Sequence, residues 1–111
     1  MRLKNNTVRV HDLHRKVVMV MFKIDDPLRK FLGYEPTITS AIDGKHKRSS
    51  AHNTGRAFDL RTWTTINSGV QIPPTRRLQM YDLINKLVDD EFDVVTESDH
   101  IHVEYDPKVP T

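Results

Sequence analysis

From Asp12 onward, apolar side chains fall at Leu13, Val17, Val20 and Ile24. This is the three-and-four spacing of one helix face, with Asp12 placed to cap it. The β-branched run Val17, Val18 and Val20 makes a strand the competing reading. Pro27 should end or kink the helix, and Gly33 should close a second short helical piece. Residues 37–42 alternate as a strand does, and Asp43-Gly44 after them is a turn signal. Residues 56–62 read as the next strand, with Ala57, Asp59 and Arg61 on one face and Phe58 and Leu60 on the other. After a loop over residues 64–74, Thr75 opens a helix striped by Leu78, Tyr81, Ile84 and Val88. Two short strands follow, over residues 92–96 and 100–105, joined by the polar turn Glu97-Ser98-Asp99. In the last, His100, His102 and Glu104 share one face, and Ile101, Val103 and Tyr105 the other. Helix, strand, strand, helix, strand, strand predicts an α+β fold: a small, mostly antiparallel sheet with flanking helices.

Composition narrows the picture. A chain of 111 residues is expected to form one domain, spanning residues 1–111, with one core and no separate binding module. It is 37% hydrophobic and 29% charged, the balance of a globular protein. Seventeen Lys and Arg against fifteen Asp and Glu give a net charge of +2, too small to choose an acidic partner. No basic helix or aromatic platform suggests a nucleic-acid partner. With no cysteine, disulfides and thiolate metal sites are excluded, so any metal must use His and carboxylate ligands. Residues 1–6 carry charge without the apolar stretch of a signal peptide behind it. Residues 17–22 are the one apolar run, too short to enter a membrane as a span. The expectation is a protein made in the cytoplasm, needing another factor to reach any target outside it. Nothing in the sequence assigns an oligomeric state.

The richest chemistry lies between Ser50 and Leu60. His52, expected on a loop, is followed seven residues later by Asp59 on a strand face, with Gly55 supplying the sharp entry. Ala57 on the Asp59 face leaves volume for an ion. His102 lies on another strand with an apolar opposite face. Two imidazoles and one carboxylate leave a fourth tetrahedral position for water, as in catalytic zinc sites. Each residue taken alone also has a structural reading, a hydrogen-bonded core histidine or a turn-capping aspartate. Spacing alone leaves both open.

Ser50, His52, Gly55, Ala57 and Asp59 together resemble the Ser-x-His-x-x-Gly-x-Ala-x-Asp motif of zinc D-Ala-D-Ala carboxypeptidases and L-alanyl-D-glutamate endopeptidases. That family shares its fold with the Hedgehog signalling domain. Asp99, three residues before His102, is similar to the family's second motif, and Thr37-Ile38-Thr39-Ser40 to the strand before the first. The likeness spans residues 37–105. It implies a Hedgehog/DD-peptidase-like fold with zinc on the open face, held by His52, Asp59 and His102. It also implies hydrolysis of peptidoglycan stem peptides, with Asp99 as general base, then His100 as partner or base, then Glu97. The His100-x-His102 arrangement is similar to the Hedgehog domain and the penicillin-insensitive murein endopeptidases. Many relatives place an Arg after the strand preceding the first motif, to meet charge developing on the carbonyl oxygen; here His46 and Arg48 are the candidates and Arg61, on the Asp59 face, is another, with a solvated basic loop as the alternative. A compact chain without a secretion signal resembles a bacteriophage lysis enzyme. The rival reading is a non-catalytic zinc-containing binding module of the same fold. His11 and His14 read as surface residues, and Trp63 as packing or as a substrate wall.

Overall fold

The computed structural model describes residues 1–10, 12–41 and 55–107. In chain order its elements are β1 (Arg2–Leu3), α1 (Arg15–Leu32), β2 (Thr37–Ser40), β3 (Ala57–Arg61), α2 (Pro74–Leu87), β4 (Phe92–Thr96) and β5 (His100–Tyr105). The strands form one five-stranded sheet in the order β1-β2-β3-β5-β4. β1 runs parallel to β2, and every other neighbouring pair is antiparallel, so the sheet is mixed.

The two predicted pieces around Pro27 are a single helix of 18 residues that buries Val17, Val20, Ile24 and Leu28. Proline inside a helix costs about 3 kcal/mol, and burying a Leu or Ile side chain returns roughly 1.5–3 kcal/mol. Ile24 and Leu28 are fully buried on either side of Pro27, which is enough to carry the helix through. The cap also differs from expectation. Asp12 has φ 61, and His14 is the N-cap, its Nδ1 accepting from the Lys16 N–H at 3.1 Å. Gly33, with φ 82, closes α1 by donating its N–H to the Arg29 carbonyl at 2.9 Å.

α2 begins at Pro74, one residue before Thr75, with Pro73 as its N-cap. Its buried residues are Met80 and Ile84, with Tyr81, Leu83 and Leu87 partly buried beside them. Leu78 is half exposed and Val88 is the extended C-cap, so the stripe is turned from the expected one. β2 stops at Ser40, short of the predicted 42, and the expected Asp43-Gly44 turn lies outside the described residues. β3 is one residue shorter at each end than predicted, while β4 and β5 match.

Phe58, Leu60, Ile101 and Val103 come from one face of the sheet and are fully buried. They join Ile24 and Leu28 of α1 and Met80 and Ile84 of α2 in one core. Among the described residues no helix is long and apolar enough to cross a membrane.

Candidate metal centre and adjoining pocket

The pairing of β3 with β5 sets the geometry on the sheet's other face. Asp59 stands opposite His102, Arg61 opposite His100, and Ala57 opposite Glu104. Residues directly opposite in an antiparallel pair project to the same side. Hence the face assignments read from alternation bring Asp59, His100 and His102 together.

The His102 ring lies between two carboxylates. Its Nδ1 is 2.9 Å from Asp59 Oδ1 and its Nε2 is 3.0 Å from Glu104 Oε1. The hydrogen bond to Asp59 raises the His102 pKa; burial opposes that, and Glu104 adds to it. Asp59 is only 8% exposed, so its charge needs such partners. Two tetrahedral ligands of one zinc ion, each at 2.0–2.1 Å, sit about 3.3 Å apart. The Asp59 oxygen and the His102 nitrogen stand closer than that, at hydrogen-bond distance, and Glu104 holds the ring from its other nitrogen.

His52, the third expected ligand, lies outside the described residues, as do Ser50, His11, His46 and Arg48. Gly55 is described. Its φ is 72, and a Cβ there would lie 2.5 Å from the Asp12 carbonyl oxygen. Its own carbonyl accepts from the His14 N–H at 2.8 Å. Only glycine fits this approach, which joins the start of α1 to the entry of β3.

His100 Nδ1 is 2.6 Å from Asp99 Oδ1, and His100 Nε2 is 3.8 Å from Asp59 Oδ1. The ring therefore bridges from the turn carboxylate toward the buried one. Glu97 is exposed, and its backbone N–H donates to the His100 carbonyl at 2.8 Å.

Beside this cluster lies a pocket of about 360 Å³, lined by Lys4, Thr39, Ser40, Arg61, Trp63, Gln71, Asp99 and His100. An irregularity in β2 shapes its wall. Ile38 pairs with Leu60, yet Ser40 pairs with Asp59, so one extra residue brings Ser40 to the Asp59 face. The Arg61 guanidinium lies 3.7 Å from the centre of the Trp63 ring. Partial burial, then Arg2, lower the Arg61 pKa, with Tyr34 opposing. Trp63 is both packed and a pocket wall, since the Tyr34 hydroxyl donates to its carbonyl. His14 caps α1, with its ring 4.6 Å from that of Tyr105. Two apolar grooves of about 400 and 510 Å³ flank α1 and contain none of the β3–β5 cluster.

Three contributors escaped the sequence reading. Alternation placed Glu104 on the right face but could not show which ring atom it meets. Lys4 reaches the pocket through β1, two residues too short to leave a pattern. Asp93, Glu104 and Asp106 gather carboxylate oxygens within 4.8 Å of one another, and Asp93 and Glu104 are cross-strand partners. Set against protein-family models, curated proteins and solved structures, the chain matches none.

Proposed function

We propose that this chain is a zinc-dependent peptidase that hydrolyses peptide bonds in the peptidoglycan stem, with the Hedgehog/DD-peptidase fold. The observation that carries the reading is the buried Asp59 with its oxygen 2.9 Å from His102 Nδ1 across the β3–β5 pair. It supports the reading because the same two residues close both halves of the motif that His52 opens. His52, Asp59 and His102 would hold the ion. When bound, zinc supplies a Lewis acid for the scissile carbonyl and lowers the pKa of water.

The protein's own groups do the rest. Asp99 accepts the Nδ1–H of His100, which fixes the tautomer and leaves Nε2 able to take a proton on the Asp59 side. Asp99 and His100 then work as one unit, removing a proton from water and delivering it to the leaving amine. Such an activity fits a bacteriophage lysis enzyme that reaches the cell wall with the help of another factor.

The test combines metal analysis of protein purified without chelator with mass spectrometry of digested peptidoglycan. One zinc per chain and new stem-peptide fragments are expected, both lost in His52→Ala and His102→Ala. Absence of metal together with no effect of added zinc would end this reading. Zinc without cleavage would assign the non-catalytic binding module instead.

A further inference from the structure

We propose that the outer face of α1 is a self-association surface, on which a second copy of this chain lays its own α1 antiparallel, each Phe22 seated beside the partner's Met19. The proposal does not rest on the peptidase reading, because α1 packs on the face of the sheet opposite to Asp59 and His102.

Residues 17–22 are apolar at every position, so this stretch of α1 cannot turn all of its hydrocarbon toward the core. Val17 and Val20 are buried on the inner side, and Val18 and Met21 are half-buried at the flanks. Met19 and Phe22 are left outside, 58% and 77% exposed. Phe22 stands between the two grooves of about 400 and 510 Å³ and lines both. The larger carries Met19, Leu87, Val88 and Phe92 along its walls. A projecting aromatic ring next to an apolar groove puts a knob and its hole on one surface. That is what a two-fold contact between identical chains requires, since each copy then offers both halves.

Charge selects the occupant and its direction. Arg15, Met19, Phe22 and Asp26 are all exposed, and their spacing of four, three and four residues places them in one stripe along α1. The stripe is basic at its start, apolar in its middle and acidic at its end. Reversed, it is its own complement: in an antiparallel pair Met19 meets the partner's Phe22, and Arg15 meets the partner's Asp26. A parallel pair would set like charges side by side at both ends, where they repel. Asp26 holds Lys30 at 3.1 Å, yet its side chain stays 72% exposed, which leaves room for a second cation. Because the sheet separates α1 from the Asp59 cluster, both clusters stay uncovered in such a dimer.

Sedimentation velocity over a concentration series at low ionic strength, where exposed charges are least screened, tests this. A monomer–dimer equilibrium is expected with a Kd of about 1–100 μM, because a helix pair with its groove walls is at the small end of stable interfaces. Phe22→Glu, at a largely exposed side chain, should weaken dimerisation at least about a hundredfold with an unchanged circular dichroism spectrum. Arg15→Asp and Asp26→Arg should each weaken self-association about five- to twentyfold. An equimolar mixture of those two variants should dimerise about as well as the original chain, because both end contacts between unlike variants then join opposite charges. A chain that stays monomeric up to about 1 mM would overturn the proposal. So would dimerisation that survives Phe22→Glu, or a mixture that associates no better than either charge variant alone. A monomer that instead partitions onto anionic phospholipid vesicles through Phe22 would assign the face to lipid and overturn it too.

Discussion

Alternate residues of β3 and β5 face opposite surroundings. Phe58, Leu60, Ile101 and Val103 are fully buried against the helices, while Asp59, Arg61, His100 and His102 turn to the other side. Burial by itself does not separate the two sets, because Asp59 at 8% exposure is nearly as enclosed as its neighbours. Partnership does. The core residues pack into one hydrophobic cluster, where an apolar side chain of similar volume would serve. Asp59 meets His102, and its charge is tolerable in that place only with such a partner. The same two strands thus carry a hydrocarbon core on one face and a hydrogen-bonded cluster of charged and imidazole groups on the other.

The largest effect that would sharpen this contrast is expected at Asp99. Asp99→Asn should retain metal and fold but lose kcat by about a hundred- to ten-thousandfold, the usual contribution of a general base. Steady-state kinetics beside metal content decides it; undiminished turnover would move the role to His100 alone or to Glu97. On the opposite face, Phe58→Ala should reduce unfolding stability by about 3–5 kcal/mol in urea titration while leaving activity per folded molecule unchanged. A matching drop in activity of the folded fraction would mean the two faces are not separable.

A smaller effect is expected behind the His102 ring. Glu104→Gln should weaken zinc affinity about ten- to a hundredfold, measured by chelator competition. The same change has a proton signature in the metal-free chain. His102 is raised above the ordinary histidine value by Asp59 first and Glu104 second. Its proton-linked stability is therefore fully present below the unfolded pKa and is lost as pH rises through the folded one. Metal competes with that proton, so uptake weakens as pH falls, and Glu104→Gln should shift that weakening to lower pH. A histidine titration that does not move in the variant would contradict Glu104 as its support.

Much of this was legible in the sequence where a pattern persists. Six alternating residues mark the limits and both faces of β5, and residues 92–96 mark the limits of β4. The pairing of Asp59 with His102 follows from their faces once the strands are neighbours. Pattern fails where one residue competes with many. Pro27 argues locally for a break, but the buried face on both sides of it prevails. β1 has no period to read, and with it Lys4 was missed. The orientation of an imidazole between two carboxylates depends on atoms, not positions, so Glu104 gained a role only in three dimensions. The motif's His52 lies outside the described residues.

The meeting of Gly55 with Asp12 has a consequence for how such a chain can diverge. Two left-handed residues, φ 72 and φ 61, approach through backbone atoms, so the contact is blind to side-chain chemistry at position 12. That position can drift among Asp, Asn and Gly, which tolerate the conformation, whereas position 55 has no second choice. Substitutions nearby are then free to remodel the pocket while the hinge between helix and strand keeps its place. In a lineage of such proteins, the glycine would outlast most of the residues it serves.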